Sequence, residues 1–174
     1  DFPIMQEALA YMKVLSDPFN NGIAFAKVFS REGVSEHNLQ AINIMARKLA
    51  RNNSRVGDGI YEVLLHHLSY IKIDQEDLVR SIVDRIQNLI NYKRNHRPSF
   101  TLKHLLMEKT DLYSSQLHED TRQSRKNIEV LNYLVKMVED LELINGGSEF
   151  EEVMEHLALV FDMDIEDGNP GEEN

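Results

Sequence analysis

The residue pattern with the clearest binding chemistry is a glycine turn that leads into a helix, within residues 30–42. Gly33 separates two helical patterns, and the second of these starts at Ser35. The first N–H groups of a helix have no partner within it, and the helix dipole adds partial positive charge there. Such an end binds phosphate without a catalytic side chain. A glycine turn that simply joins two packed helices has the same pattern, so both interpretations stay open.

Two clusters of cations could add side chains to a phosphate site. The first cluster ends the third helical pattern and consists of Arg47, Lys48, Arg51 and Arg55. The second consists of Lys93, Arg94, His96 and Arg97. Each cluster is either a solvated helix end, where cations are placed favourably near the C-terminus, or a patch that contacts phosphate. Sequence alone leaves the two interpretations open for both clusters.

No pattern in the chain indicates catalysis or a metal site. The glycine-rich Lys-Ser/Thr phosphate loop, His-Glu-x-x-His and Gly-x-Ser-x-Gly are all absent, so we expect no ATP hydrolysis within these residues. Neighbouring His66 and His67 point apart on a helix and do not chelate one ion together. The acidic residues after Phe161 imitate a calcium loop, but Asp167 occupies the position that requires glycine. We therefore expect no metal and no cofactor.

The charge is distributed unevenly along the chain. The formal net charge is -10, which argues against a protein that coats nucleic acid indiscriminately. Residues 1–55 carry 7 Lys and Arg against 5 Asp and Glu, whereas residues 111–174 carry 4 against 17. The first part of the chain is therefore compatible with a phosphate backbone.

There is no cysteine and no apolar run of membrane-spanning length, so we expect a cytoplasmic location and no membrane partner.

Apolar residues recur at helical spacing along the chain, which predicts an all-α fold. The pattern indicates a compact multi-helix domain over residues 1–161, with a helix–glycine turn–helix near its N-terminus. It places helices at 36–50, 60–71, 100–108 and 120–143, and it predicts helix stops at Pro98 and at Gly146-Gly147. Asp74 resembles a helix N-cap, and Ser148 with Glu151 resembles a capping box for a last helix that ends at Phe161. Residues 162–174 are acidic and contain Gly and Pro, which predicts a connector or disordered tail.

The N-terminal segment also carries a family resemblance. Residues 7–29, Glu-Ala-Leu-Ala-Tyr-Met-Lys-Val-Leu-Ser-Asp-Pro-Phe-Asn-Asn-Gly-Ile-Ala-Phe-Ala-Lys-Val-Phe, resemble a segment of the Rep/UvrD/PcrA DNA helicases. In those proteins a Gly-Ile-Gly turn and a Thr-Leu helix follow. Here Gly33-Val34-Ser35 and then Asn38-Leu39 stand in those places. Residues 125–131 and 150–163 are similar to the helices near the end of the same domain.

The resemblance is to subdomain 2B, the helical insertion in the second motor domain of superfamily 1 helicases. It implies an accessory, regulatory domain that contacts duplex DNA at a fork or junction during unwinding for replication or repair. The parent protein would be an ATP-dependent 3′–5′ helicase, whose motor domains bind ATP and Mg²⁺ and are this domain's other partners. Both termini would return to the motor domain and lie near each other.

The resemblance also implies a set of DNA-contacting residues. They are Arg31, Gly33, Val34, Ser35 and Asn38, with Arg47 and Lys48 extending the patch. Ser35 replaces the family's second glycine, and Glu32 stands where many members have a basic residue. We therefore expect weak, salt-dependent duplex binding. The alternative from another functional class is a helical protein–protein interaction module that binds through apolar grooves or the acidic tail and has no nucleic-acid role.

Overall fold

The fold is all-α, as predicted. The computed structural model describes residues 2–144 and 149–161, and it contains no β-strand in these ranges. The helices within them are α1 (Pro3–Ser16), α2 (Gly22–Arg31), α3 (Glu36–Asn52), α4 (Ile60–His66), α5 (Glu76–Asn95), α6 (Pro98–His104), α7 (Ser114–Glu119), α8 (Arg122–Ile144) and α9 (Phe150–Phe161).

The described residues divide into two compact units. The first unit takes residues 1–16 together with 88–163, as far as these are described, and the described part of the second unit is residues 17–87. The sequence predicts a single helical domain over residues 1–161, whereas the packing divides this range in two. The predicted acidic tail, 162–174, and the predicted break at Gly146-Gly147 lie outside the described residues.

In the first unit α1 lies at the centre. Its buried residues occupy most of its circumference rather than one stripe, and it packs on both α8 and α9. Leu9 and Leu15 are 1% exposed, and Met12 is fully buried. A helix with so wide an apolar surface is stable only when most of its circumference is packed in a core.

In the second unit an aromatic cluster joins α2 to α4. Phe25 stacks on Phe29 with ring centroids 5.8 Å apart, and its ring centroid is 6.0 Å from that of Tyr61. The Asp58 carboxylate accepts the Gly22 N–H at 2.8 Å and the Ile60 N–H at 3.0 Å, so it caps the first turns of both helices. Burial raises the pKa of Asp58 above its ordinary value, and the two backbone N–H donors oppose that shift.

Some predicted helix boundaries are wrong. The helix predicted over 60–71 ends as an α-helix at His66, and a separate 3₁₀ turn follows at Leu68–Tyr70. The helix predicted from residue 120 begins at Arg122, because Asp120 adopts a left-handed conformation with φ 49°. The predicted stop at Pro98 is confirmed, because α5 ends at Asn95; Pro98 is itself the first residue of α6, where no intrahelical partner is available for an N–H.

The predicted cap of α5 is also corrected, whereas the pair predicted for α9 stays a prediction. α5 begins at Glu76, and the Asp74 side chain accepts a hydrogen bond from Asn38 instead of capping the helix. At α9 the side chain that reaches back is Glu152, which accepts the Glu149 N–H at 3.1 Å. This contact lies one residue later than the predicted Ser148–Glu151 pair, and Ser148 itself lies outside the described residues.

Gly59, directly before α4, packs closely against the buried face of α3. Gly59 has φ +85° and lies so close to the Ala46 carbonyl that an added Cβ would overlap it. Asn38, Ile42 and Ala46 are the buried residues of α3. The opposite face of α3 is therefore left to solvent, and this face carries the cations discussed below.

Replacing Gly59 with alanine should cost more stability than replacing Gly33. Both glycines have positive φ, and an alanine there costs about 1–2 kcal/mol. At Gly33 the nearest atom to an added Cβ is Leu78 Cδ2 at 3.9 Å, so no steric cost is added. At Gly59 the collision with Ala46 adds roughly 1–3 kcal/mol, as overpacking does elsewhere. Urea denaturation of Gly59→Ala and Gly33→Ala measures the difference, and equal losses would show that Gly59 does not hold α3.

Candidate nucleic-acid interface

The Gly33 turn is closed by its own backbone. α2 ends at Arg31, and Gly33 follows with φ +99°. The Gly33 N–H donates to the Ser30 carbonyl at 3.2 Å, and the Val34 N–H donates to the Phe29 carbonyl at 2.9 Å. These two bonds satisfy carbonyl groups at the end of α2, as glycine C-caps do in many helices. Val34 is also 4% exposed, so its side chain belongs to the core.

Gln75 takes the remaining N–H group of the turn. The Ser35 N–H donates to Gln75 Oε1 at 2.8 Å, and Gln75 Nε2 donates to the Gly33 carbonyl at 2.9 Å. The prediction that Gly33, Val34 and Ser35 present free N–H groups to a phosphate is therefore wrong. Each of the three groups already has an acceptor, one of which is a side chain forty residues away in sequence.

Asn38 is a structural residue. It is completely buried, and its Nδ2 lies 2.7 Å from Ser35 Oγ, 2.8 Å from Asp74 Oδ1 and 2.8 Å from Gln75 Oε1. Its Oδ1 accepts the Gln75 N–H at 3.4 Å. The predicted role of Asn38 as a hydrogen-bond donor to DNA is also wrong, because the amide donates inward. The Asn38 network, defined as Asn38, Ser35, Asp74 and Gln75, ties the start of α3 to the segment before α5.

The charged residues near the turn are engaged with the protein. Arg31 is partly buried in the last turn of α2 and makes polar or charged interactions within the chain. Glu32 accepts from Arg85 at 2.6 Å. The carboxylate that departs from the family pattern is thus neutralised by a partner on α5, and the turn as a whole is a packed joint between helices.

The predicted cations Arg47 and Lys48 lie elsewhere, on the outer face of α3. A helix rises about 1.5 Å per residue, so Arg47 lies roughly 18 Å along the axis from Ser35. Arg51 shares their exposed face at helical spacing, and Arg55 follows in the next turn. We call these four residues the basic α3 surface. None of them forms an ion pair with any residue that the structure describes.

The basic α3 surface also lacks acidic neighbours along the chain. Between Glu36 and Asp58 the sequence contains no Asp or Glu. Gln40 and Asn43 are exposed on the same helix and supply neutral amides that can donate to phosphate or sugar oxygens. The sequence patterns described above do not single out these two residues. Counting charges along the single helix, rather than over thirds of the chain, would have revealed the acid-free run.

Other site types are not found in the described part of the chain. No group of three or more His, Cys, Asp or Glu residues at 2–144 and 149–161 is arranged to hold a metal ion. Nor is any helix in those ranges both long and apolar enough to cross a membrane. The acidic calcium-like spacing noted above falls in residues that the structure does not describe.

No protein-family model, curated protein or solved structure matches this chain. Its function has to be inferred from its own geometry and charge.

Replacing Asn38 with alanine should destabilise the second unit by roughly 1–3 kcal/mol, because several polar groups lose a buried partner together. Replacing Ser35 with alanine removes only one acceptor from the Asn38 network, at an exposed position, and should cost less than about 1 kcal/mol. Thermal and urea denaturation of the two variants provide the comparison. An Asn38→Ala protein as stable as Ser35→Ala would contradict the structural role of the network.

Proposed function

We propose that this chain is an accessory, duplex-contacting helical domain of an ATP-dependent 3′–5′ DNA helicase, similar to subdomain 2B of Rep/UvrD/PcrA helicases. The observation that carries the nucleic-acid part is the basic α3 surface. Its cations are exposed, and the sequence between Glu36 and Asp58 contains no Asp or Glu, although the chain as a whole has a net charge of -10. A solvated helix end needs no such exclusion of carboxylates, whereas a surface that meets a phosphate backbone does.

The contact is made by side chains. The C-terminal end of α3 carries partial negative charge, which stabilises Arg47, Lys48 and Arg51 but does not attract phosphate itself. Lys and Arg bind phosphate oxygens without regard to the bases, and the exposed amides of Gln40 and Asn43 add neutral donors. Binding is therefore independent of sequence and weak, with a dissociation constant on the order of 10⁻⁴–10⁻⁶ M near physiological salt.

The start of α1 and the last described turn of α9 lie near each other, which is compatible with the insertion part of the proposal. Phe2, just before α1, and Phe161, the last residue of α9, line the same groove of the first unit. An inserted domain leaves and re-enters its parent at neighbouring points, so its two ends must lie together. ATP and Mg²⁺ belong to the parent's motor domains in this proposal, and the domain contributes placement on DNA rather than catalysis.

The same groove favours a second candidate function. It encloses about 740 Å³ and is lined mainly by apolar and aromatic side chains of α1, α8 and α9, including Met5, Val130 and Tyr133. Open apolar grooves of this kind bind partner segments. The second candidate is therefore the protein–protein interaction module without a nucleic-acid role, and it predicts no duplex binding by the basic α3 surface.

Removing the α3 cations should weaken duplex binding selectively. We expect the triple variant Arg47→Ala, Lys48→Ala, Arg51→Ala to bind a blunt duplex at least about tenfold more weakly at low salt. The slope of log affinity against log salt should fall by about 2–3, since each lost phosphate contact removes about 0.9. Fluorescence anisotropy of a labelled duplex measures both quantities.

The matched control removes the same number of charges from α8, through Arg122→Ala, Lys126→Ala and Lys136→Ala. We expect its duplex affinity to stay within about twofold of the unmodified chain, because these cations are not part of the basic α3 surface and make no proposed phosphate contact. Equal weakening by both variants would show that the net charge, not the basic α3 surface, determines binding. An unmodified chain that binds no duplex even at low salt would favour the interaction module.

A further inference from the structure

Three aromatic rings form a column in the first unit. The Tyr92 ring lies 3.6 Å from the His96 ring, centroid to centroid, with an interplanar angle of 5°. It lies 4.0 Å from the His104 ring, with an interplanar angle of 15°. Two rings this close and this parallel to a third cannot share one of its faces, so His96 and His104 cover opposite faces of Tyr92.

Hydrogen bonds hold both histidine rings in place. His96 Nδ1 lies 2.8 Å from the Tyr92 carbonyl oxygen, which only accepts, so Nδ1 is the donor. His104 Nδ1 is 2.8 Å from Glu108 Oε1. His96 is nevertheless exposed. Since Tyr92 covers one face of its ring, the other face is in contact with solvent, and its orientation is fixed in advance.

A second exposed aromatic ring follows at the start of α6. Phe100 is 48% exposed, and Lys103 Nζ lies 5.8 Å from its ring centroid. Tyr92, His96, Phe100 and His104 are spaced four residues apart along the chain. The corner between α5 and α6 therefore presents aromatic surface to water at two neighbouring positions.

This corner carries two arginines without a carboxylate partner in the described part of the chain, beside carboxylates that other residues supply, such as Glu142 on the Ser99 N–H and Oγ. The sequence contains no Asp or Glu between Asp84 and Glu108. Lys93 and Lys103 are paired with Glu151 and Glu139, at 2.6 Å and 3.0 Å. Arg94 and Arg97 are exposed and form no ion pair within the described residues, although Arg94 donates to the Asn91 side chain.

We propose that this corner binds unpaired nucleic acid. We call it the stacking corner and define it as Arg94, His96, Arg97 and Phe100. A base stacks on the outer face of His96 or on Phe100, and Arg94 and Arg97 contact the neighbouring phosphates. Exposed aromatic rings combined with arginines are the features that bind single strands without sequence preference.

The ligand must be unpaired because a duplex hides the faces of its bases. The stacking corner lies in the first unit, whereas the basic α3 surface lies in the second, so the two proposals rest on different residues. The stacking corner does not depend on the helicase proposal. It adds a binding mode for single strands that duplex contact through α3 does not provide.

The test compares two single strands that carry the same phosphates. The complete 174-residue chain is titrated at low salt with a labelled oligothymidylate and with an abasic strand of equal length. We expect tighter binding of oligothymidylate. We expect the double variant His96→Ala, Phe100→Ala to weaken oligothymidylate binding at least about fivefold and to leave the abasic strand unchanged, because stacking on each ring is lost.

Control variants make each outcome decisive. Tyr70→Ala removes an exposed aromatic ring of the second unit, 74% exposed, and should change neither affinity. His96→Phe keeps a ring and should retain oligothymidylate binding. The α3 triple variant should leave the preference for oligothymidylate over the abasic strand unchanged, so failure of one proposal is distinguished from failure of the other. Equal affinity for the two strands, or equal weakening by Tyr70→Ala, would overturn the stacking corner.

Discussion

The buried amide of Asn38 is the constraint on which the second unit depends. It has no access to water, and its donors and acceptor are satisfied only by Ser35, Asp74 and Gln75. This requirement fixes where α3 starts and how it lies against the segment before α5. Gln75 of the same network also bonds the Ser35 N–H and the Gly33 carbonyl, so these polar groups of the glycine turn are engaged within the protein. The cations further along α3 therefore form its charged surface.

The two proposed surfaces differ in physical chemistry. The basic α3 surface offers charge and flexible donors, which suits the regular phosphates of a duplex. The stacking corner offers fixed aromatic faces, with a pair of arginines beside them, which suits exposed bases. Both lie in runs of sequence without carboxylates, between Glu36 and Asp58 and between Asp84 and Glu108, although the chain as a whole is acidic.

The sequence predicted features that depend on near neighbours. The all-α class follows from helical periodicity, and the sequence places Gly33 in a turn because positive φ favours glycine. Features that depend on distant partners were missed. Gln75, which closes the turn, and His104, which completes the ring column, lie on other elements and leave no local pattern. Asp74 resembled a cap because its alternative partner, Asn38, is thirty-six residues away.

The most direct measurement of duplex contact is amide chemical-shift mapping of the labelled chain during titration with a blunt duplex. We expect the largest changes at exposed residues of α3 and the turn after it, especially Asn43, Arg47, Lys48, Arg51 and Arg55. The amides of Gly33, Val34 and Ser35 should barely move, because each already donates within the protein. Shifts concentrated at that turn, or no shifts along α3, would contradict the assignment of the basic α3 surface as the duplex contact.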